Sequence, residues 1–305
     1  MSSRENHMRI ADLRATIAAA VLLTACSVTD QSTAVRAPSV PLKSSGVPYT
    51  GELPDLIVDA KSTQNNWIVR VEDLPADFCS VIEGGVTPGV HTILRFTVTT
   101  PNIGKGDVFI GSPLDHMDPN HDGNFSDSDG LFEFAQCHQH FHFQHYATYK
   151  LIGADGHVWK AAKRGFCMLD TDPFNVHNGD GTWTYRNCGT LTRDGFQGIS
   201  SGWADTYVFK LGGQYFVLDG GDNQPVVPPG VYTIEVEVNP AFAPGAGGCP
   251  RVTDPATGLC HNFAETDYTN NVGRATVIIT DHPGRSGYGT IKDNSKITAA
   301  DEIEK

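Results

Sequence analysis

The sequence is poor in basic residues and lacks several patterns that define common protein classes. Its 305 residues include 22 Lys and Arg against 35 Asp and Glu, which gives a net charge of -13. A chain this acidic repels phosphate backbones, so nucleic-acid binding is not expected. No CxxC pair is present, which argues against thiolate zinc sites and thioredoxin-like chemistry. No internal repeat is visible, and the apolar run from Ala15 to Leu23 is too short to span a bilayer.

The first residues have the composition of an export signal. Arg9 and Arg14 precede the short apolar run, as in a signal peptide. Residues 23–26 (LTAC) have the form of a bacterial lipobox, in which the cysteine is lipidated after cleavage. We therefore predict a signal peptide over residues 1–25 and a lipid anchor at Cys26, the expected membrane contact. The alternative is an ordinary secretory signal, so the protein is expected to be a cell-envelope lipoprotein or to be secreted.

Composition divides the rest of the chain into three parts. Residues 26–51 are rich in Ser, Thr, Pro and Val and are expected to form a disordered tether. Residues 281–305 are polar with little to bury, and we predict a disordered tail. Residues 52–280 lie between them and form the expected folded domain.

The folded domain shows the period of β-strands. Apolar Leu94, Phe96 and Val98 alternate with polar neighbours, and the segment from Tyr232 to Val238 alternates in the same way. This period is typical of half-buried antiparallel strands. Further strand candidates are DLIVDA, WIVRVE, HVWK, QYFVLD and ATVIIT, and no window of helical length has a convincing helical period. We predict an all-β protein: a single β-sandwich-like domain with long loops.

Six cysteines remain after Cys26, and an even number in an exported protein indicates disulfides. Spacing alone suggests only that Cys249 closes a local loop with Cys260. The other four cysteines are Cys79, Cys137, Cys167 and Cys188.

The strongest chemical signal is the segment CHQHFH at residues 137–142. On an extended strand, His138, His140 and His142 share one face, so their imidazoles converge. Three imidazoles suit copper or zinc and leave coordination positions open. Phe141 and Phe143 are expected to pack behind the strand.

An acidic segment precedes this strand and follows the D-x-N-x-D-G pattern of calcium loops. Gly123 permits the sharp turn, and no helical pattern flanks the segment, so a bare calcium loop is expected. A solvated acidic turn is the alternative. The candidate calcium ligands are Asp118, Asn120, Asp122, Asn124 and Asp129.

Several segments together resemble the lysyl oxidase family. They are CHQHFH, KRGFCMLDT at residues 163–171, GWADTY at 202–207, LPDL at 53–56, VNP at 238–240 and DYTNNV at 267–272. The resemblance runs in order over essentially residues 52–280. It implies that His138, His140 and His142 bind copper. It also implies a quinone cofactor, lysine tyrosylquinone, formed from Lys163 and Tyr207. We predict Asp205 as the catalytic base because it shares an extended face with Tyr207.

The resemblance also implies structural features. The early Asp-Leu pair would meet the DYTNNV segment in a calcium site, whose candidate ligands are Asp55, Leu56, Glu265, Asp267, Asn270 and Asn271. A turn rich in Asn that caps itself is the alternative. The implied disulfides join Cys79 to Cys137 and Cys167 to Cys188, which leaves Cys249 with Cys260.

The expected function is that of a copper-dependent quinone amine oxidase. Its partners would be O₂ and a primary amine, with peptidyl lysine as one candidate, and its products an aldehyde, ammonia and hydrogen peroxide. A non-enzymatic, exported lipoprotein that binds copper or zinc through the same histidines is the alternative. A cupin-type oxygenase fits less well, because such sites usually need a carboxylate and a distant histidine beside HxH. The sequence does not indicate an oligomeric state.

Overall fold

The computed structural model describes residues 51–175, 182–281 and 287–303. The predicted signal peptide, Cys26 and nearly all of the predicted tether lie outside the described residues. Short helices in the described part are α1 (Ala60–Asn65), α2 (Cys79–Ile82) and α3 (Pro113–Met117), with a 3-10 turn at Phe125–Asp127. The strands are β1 (Trp67–Leu74), β2 (Gly89–Phe96), β3 (Val98–Pro101), β4 (Val108–Gly111), β5 (Phe132–Ala135), β6 (His140–Phe143), β7 (Ala147–Ile152), β8 (Val158–Lys160), β9 (Asp172–Pro173), β10 (Gln197–Ile199), β11 (Trp203–Tyr207), β12 (Tyr215–Val217), β13 (Gly230–Val238), β14 (Val252–Thr253), β15 (Cys260–His261), β16 (Val272–Ile279) and β17 (Tyr288–Gly289).

Two four-stranded antiparallel sheets form the body of the protein. One has the strand order β12-β2-β1-β17 and the other the order β16-β13-β7-β8. Apolar side chains of both sheets belong to one buried cluster. Phe96 of the first sheet stacks on Phe216 at 4.9 Å and meets Tyr149 of the second sheet edge-on at 5.4 Å. This arrangement confirms the predicted all-β class.

The predicted alternation holds for one strand and fails in part for another. In β13, Tyr232, Ile234, Val236 and Val238 are buried and their neighbours are not, as predicted. The last four residues of β2 are all buried. The reason is that β2 lies inside its sheet, where Ile93 packs in a second core cluster and Arg95 forms a buried ion pair. The DLIVDA candidate contributes only a bridge at Leu56 before α1 begins.

The predicted disordered tail differs from the structure over residues 287–303. Tyr288 and Gly289 pair with β1 as an additional edge strand. Further along, Ile297 is buried in the second core cluster and Glu302 is fully buried. A few apolar and charged side chains find partners on the folded body, although the segment has no periodic pattern of its own.

The described residues contain three disulfides. They are Cys79–Cys137, Cys167–Cys188 and Cys249–Cys260. All three pairs implied by the family resemblance are therefore confirmed. Within the described residues, no helix has the length and apolar character needed to cross a membrane.

Candidate active site

The three histidines lie at the end of a hairpin rather than on one continuous strand. Strands β5 and β6 pair with Ala135 opposite His140 and Glu133 opposite His142. His138 lies in the connecting turn, which Gln139 closes with a left-handed φ of 57°. The prediction of an extended chain is therefore correct for His140 and His142 and wrong for His138. The hairpin turn nevertheless places the side chain of His138 beside those of His140 and His142.

The imidazoles of the three histidines converge in the interior. Their ring centroids are 4.8 Å to 5.4 Å apart, and the exposed fraction of each residue is 7% or less. Phe141 and Phe143 pack on the opposite face, against Phe134 and Phe132. Residues two apart in a strand share a face, which explains both sets of contacts.

Burial keeps two of the imidazoles neutral. It lowers the pKa of His140 to about 3, with smaller contributions from the charges of His138 and Lys163. The pKa of His142 is also lowered strongly, again mainly by burial. Both ring nitrogens of His142 are buried and have no hydrogen-bond partner. A buried polar atom normally has a hydrogen-bond partner, so an imidazole without one is a candidate metal ligand.

A carboxylate that the sequence did not point to lies beside the cluster. Glu83 follows α2, and the Cys79–Cys137 disulfide ties this helix to the hairpin turn. Glu83 Oε1 lies 2.7 Å from His138 Nδ1. Potential ligand atoms of Glu83, His138 and His142 all lie within 4.8 Å of one another. The sequence indicated Glu83 only by its position: it lies four residues after Cys79, which forms a disulfide with Cys137 beside the histidines.

Lys163 and Tyr207 are neighbours beside the histidines. Lys163 Nζ lies 4.8 Å from the centroid of the Tyr207 ring and 5.4 Å from that of Phe166. Burial lowers the pKa of Lys163 to about 7, although the charges of Glu83, Asp205 and Glu302 oppose this shift. A substantial fraction of the amine is therefore neutral near pH 7, the form that acts as a nucleophile.

Tyr207 is buried at the end of β11. Its hydroxyl donates a hydrogen bond to the Cys167 carbonyl at 2.8 Å. The Cys167–Cys188 disulfide holds that carbonyl in place. Burial and the carboxylate of Asp205 raise the pKa of Tyr207 well above its usual value, so the phenol is neutral.

Asp205 lies two residues before Tyr207 in β11, as predicted. It is almost fully buried, and its Oδ2 atom has no hydrogen-bond partner. Burial raises the pKa of Asp205 well above the usual range, against the lowering effects of Tyr207 and Lys163. A carboxylate with a raised pKa is a stronger base than a solvated one.

Two cavities reach this group of side chains. One of about 300 Å³ is lined by Asp205 and Tyr207 together with Ala300 and Ile303. The other, of about 230 Å³, reaches Lys163 and is bordered by Lys150, Lys160 and Arg164. At the second opening Lys150 pairs with Glu235 and Glu237, and Arg164 pairs with Asp222, whereas the lining of the first cavity contains both acidic and basic groups.

The residues predicted to form the family-type calcium site do come together. Glu265 accepts hydrogen bonds from the Leu56 amide at 2.6 Å and from the Asn239 and Asn271 amides. Asn270 Nδ2 donates to Asp55 Oδ1 at 2.8 Å. The Oδ1 atoms of Asn270 and Asn271 are buried and have no partner. Asp267 instead accepts hydrogen bonds from Thr269.

The predicted calcium loop at 118–129 binds its own backbone. Asp118 accepts from the amides of Asp122 and Gly123, and Gly123 has the expected positive φ of 82°. Asn120, Asp122 and Asn124 accept from amides two residues further on. Asp129 binds Arg251 and His116 instead of facing the loop. These contacts describe an acidic turn that caps its own backbone, and both the calcium loop and the alternative of a solvated acidic turn stay predictions.

The fold and the site together define a class of protein. It is a disulfide-linked all-β protein with a buried, nitrogen-rich centre suited to a transition metal. The family model described as Lysyl oxidase matches residues 82–246, which is more than half of the chain. The chain belongs to the lysyl oxidase family.

The matching curated proteins agree with this assignment. Lysyl oxidase homolog 2A of Danio rerio is 26% identical over 244 residues, which cover 74% of this chain and 26% of that protein. Lysyl oxidase homolog 2 of Bos taurus is 28% identical over 247 residues, which cover 74% and 24%. Protein-lysine 6-oxidase of Gallus gallus is 26% identical over 243 residues, which cover 75% and 46%. The chain thus spans less than half the length of these relatives.

Proposed function

We propose that this protein is a copper-dependent quinone amine oxidase. It converts a primary amine, with peptidyl lysine as one candidate substrate, to an aldehyde. The reaction consumes O₂ and water and releases ammonia and hydrogen peroxide. The observation that carries this proposal is the position of Lys163 Nζ, 4.8 Å from the Tyr207 ring and beside a buried cluster of histidines.

The donor set fits copper at His138, His140 and His142. The neutral state of His140 and His142 leaves lone pairs available, and the two ring nitrogens of His142 lack other partners. Bound copper would supply the redox chemistry that activates O₂ for oxidation of the tyrosine ring. Glu83 accepts a hydrogen bond from the N–H at His138 Nδ1 and so orients this ring with Nε2 as its ligand atom.

Lysine tyrosylquinone, formed from Lys163 and Tyr207 with O₂ as the oxidant, would supply the electrophilic carbonyl that takes up the amine. For its formation Lys163 must reach the ring of Tyr207 as a neutral amine. The lowered pKa of Lys163 and the short distance to the ring support both requirements. Cys167 positions the ring through the hydrogen bond to the Tyr207 hydroxyl.

Asp205 is our candidate for the base that accepts the proton from the carbon next to the amine nitrogen. It lines the cavity of about 300 Å³ together with Tyr207. Its raised pKa matches the task of holding a proton during turnover. We infer that the amine enters through this cavity, because its lining reaches both Asp205 and Tyr207.

We further propose that the protein is exported and that lipidation at Cys26 anchors it to a membrane. The three disulfides support an oxidising compartment. Mass spectrometry of the mature N-terminus tests the anchor: a lipidated Cys26 is the expected species. If the signal peptide is cleaved at another position and the new N-terminus carries no lipid, the segment is an ordinary secretory signal and the proposed anchor is wrong.

The test of the proposed function is peptide mapping by mass spectrometry. The protein is loaded with copper and matured in air, and the peptides that contain Lys163 and Tyr207 are analysed. We expect one covalent species with an oxidised ring. The Lys163→Ala variant should lose this species and the turnover of primary amines, whereas Lys160→Ala, a change of an exposed lysine nearby, should keep both.

The opposite result favours a different function. If copper binds but the two peptides stay separate and unmodified, the protein is a metal-binding lipoprotein that uses the same histidines. In that case Lys163→Ala would leave metal binding and function unchanged. Peroxide release from primary amines is the second readout that separates the two functions.

A further inference from the structure

A segment near the end of the described chain closes one side of the candidate active site. We call it the strap and define it as residues Ile297–Ile303. The strap begins at the buried side chain of Ile297, which packs with Phe78 and Tyr215. It ends beside the cavity of about 300 Å³, where Ala300 and Ile303 line the wall with Asp205 and Tyr207. The strap therefore forms part of the route by which an amine would reach Tyr207.

Glu302 anchors the strap. Its side chain is fully buried and accepts hydrogen bonds from the amide and the hydroxyl of Ser80, at 3.2 Å and 2.8 Å. One carboxylate oxygen also lies 3.6 Å from Arg95. A carboxylate that lies out of water in a pocket of donors is held firmly, since each hydrogen bond is assisted by charge.

The backbone of Glu302 touches the histidine cluster directly. Its carbonyl accepts a hydrogen bond from the Gly212 amide at 3.0 Å and lies 3.3 Å from His138 Nε2. Because His138 Nδ1 faces Glu83, Nε2 is the nitrogen left for a metal ion. The strap therefore occupies the side of the His138 ring that copper would need.

The pocket does not depend on Glu302 for its own integrity. Arg95 also donates to both carboxylate oxygens of Glu72 and to the Phe209 and Leu211 carbonyls. Without Glu302, the ion pair that Arg95 keeps within the described residues is the one with Glu72, a carboxylate that Arg70 also contacts. The pocket can then accept a carboxylate from another source, which makes exchange of the strap chemically reasonable.

We propose that the strap is an exchangeable inhibitor of the candidate active site, held in a groove whose Ser80–Arg95 pocket binds a carboxylate side chain. Release of the strap opens His138 to copper and the Tyr207 cavity to an amine. A peptide with an acidic side chain placed like Glu302 is the ligand class that fits the vacated groove. The identity of the site that the strap covers rests on the proposed function.

The test measures copper uptake by the metal-free protein, without reference to turnover. Glu302→Lys places a cation beside Arg95 and should expel the strap. Asp155→Lys is the matched control, because it makes the same charge change at an exposed residue in the turn between β7 and β8. We expect Glu302→Lys to take up Cu(II) about tenfold faster than the wild type or more, with the same stoichiometry. Asp155→Lys should behave as the wild type.

A synthetic peptide of residues 293–305 provides the rescue. Added to Glu302→Lys, it should slow copper uptake again, whereas the same peptide with Gln in place of Glu302 should not. If Glu302→Lys fails to fold, the wild type still decides: a strap that must open first makes the uptake rate level off as the copper concentration rises. A rate that stays linear with copper concentration overturns the proposal.

If the wild type and both variants fold and take up copper at equal rates, the proposal that the strap inhibits uptake is wrong. The proposed copper site is then still supported. Absence of copper binding in every variant would instead overturn the proposed function. The two failures are therefore distinguishable in one experiment.

Discussion

At the scale of single residues, close packing and lost hydration give the candidate site its chemistry. The imidazole of His142 lies directly against Gly165, where a Cβ atom would approach within 2.5 Å to 2.7 Å of three ring and side-chain atoms. Glu83 contacts a second imidazole of the cluster, that of His138, at Nδ1. Burial, rather than the charge of a neighbouring residue, lowers the pKa of Lys163.

We predict that Gly165→Ala displaces the ring of His142. The added methyl group cannot fit without movement, so the free energy of unfolding should fall by about 1–3 kcal/mol. Copper affinity should fall about tenfold or more, because a ligand loses its position. Calorimetric titration and urea unfolding measure the two effects. Gly247→Ala, where a Cβ meets open space, is the control; equal effects in both variants would contradict the prediction.

We predict that Glu83→Gln weakens copper binding about 10–100-fold with little effect on the fold. The amide keeps the size of the carboxylate but loses the charge that makes His138 a better ligand. A copper titration monitored by electron paramagnetic resonance measures the change. Glu133→Gln changes an exposed carboxylate of the same hairpin region and should bind copper as the wild type does. If Glu83→Gln binds copper as tightly as the wild type, Glu83 does not strengthen His138 as a ligand.

We predict that Lys163 makes the stability of the metal-free protein rise with pH. The folded state releases its proton near pH 7, whereas the unfolded chain keeps it up to about pH 10.5. Between these values the unfolded state binds more protons, so the free energy of unfolding increases with pH. Below pH 7 both states are protonated and the cost of burial is constant. Urea unfolding at pH 7 and pH 9 should show this gain relative to Lys163→Met, and parallel profiles would disprove it.

At the scale of elements, the site is assembled by a disulfide. The Cys79–Cys137 bond joins α2 to the β5–β6 turn and so brings Glu83 to His138. The Cys167–Cys188 bond holds the carbonyl that positions Tyr207. The Cys249–Cys260 bond closes a local loop.

We predict that removal of two of these disulfides has different consequences. The Cys79–Cys137 bond spans 58 residues and the Cys249–Cys260 bond spans 11. Loop entropy then assigns them about 4 and about 3 kcal/mol of stability. Only the double variant Cys79→Ser/Cys137→Ser should also lose copper affinity, because it releases His138. Cys249→Ser/Cys260→Ser is the control for stability loss alone, and a matching loss of affinity there would contradict the assignment.

At the scale of the whole molecule, the first and last parts of the domain meet at Glu265. Its carboxylate binds the Leu56 amide and the amides of Asn239 and Asn271. Burial raises the pKa of Glu265 to about 7, against the effect of these hydrogen bonds. A bound cation would favour the charged carboxylate and use the unpartnered amide oxygens of Asn270 and Asn271.

We predict that calcium raises the melting temperature through this site. Asp55→Asn should abolish the calcium-dependent increase, since it removes the charge of the candidate ligand that contacts Asn270. Asp118→Asn, in the self-capped loop, should keep the increase. Thermal unfolding with calcium or with a chelator measures the difference. Loss of the effect in Asp118→Asn alone would move the calcium site to residues 118–129.

Much of the fold and part of the site were predictable from local pattern. The alternation in β13 predicted its buried face because a strand's side chains alternate by geometry alone. The same rule failed for the inner strand β2, whose polar face is covered by other segments. The pairs Cys79–Cys137 and Cys167–Cys188 and the association of Lys163 with Tyr207 depended on family resemblance, since those residues lie far apart in the chain, whereas spacing suggested Cys249–Cys260. The strap had no local pattern that pointed to it, and Glu83 had only its position four residues after Cys79.

The sequence by itself determined the all-β class, the histidine cluster and the acidic character of the chain, because period, residue type and charge are local properties. Only the tertiary structure decided which groups become neutral, which carboxylate faces His138, and that residues 287–303 pack on the domain. These outcomes depend on burial and on contacts between distant segments. A carboxylate such as Glu302 is a solvated charge in the sequence, and it becomes a buried anchor only where Ser80 and Arg95 meet it.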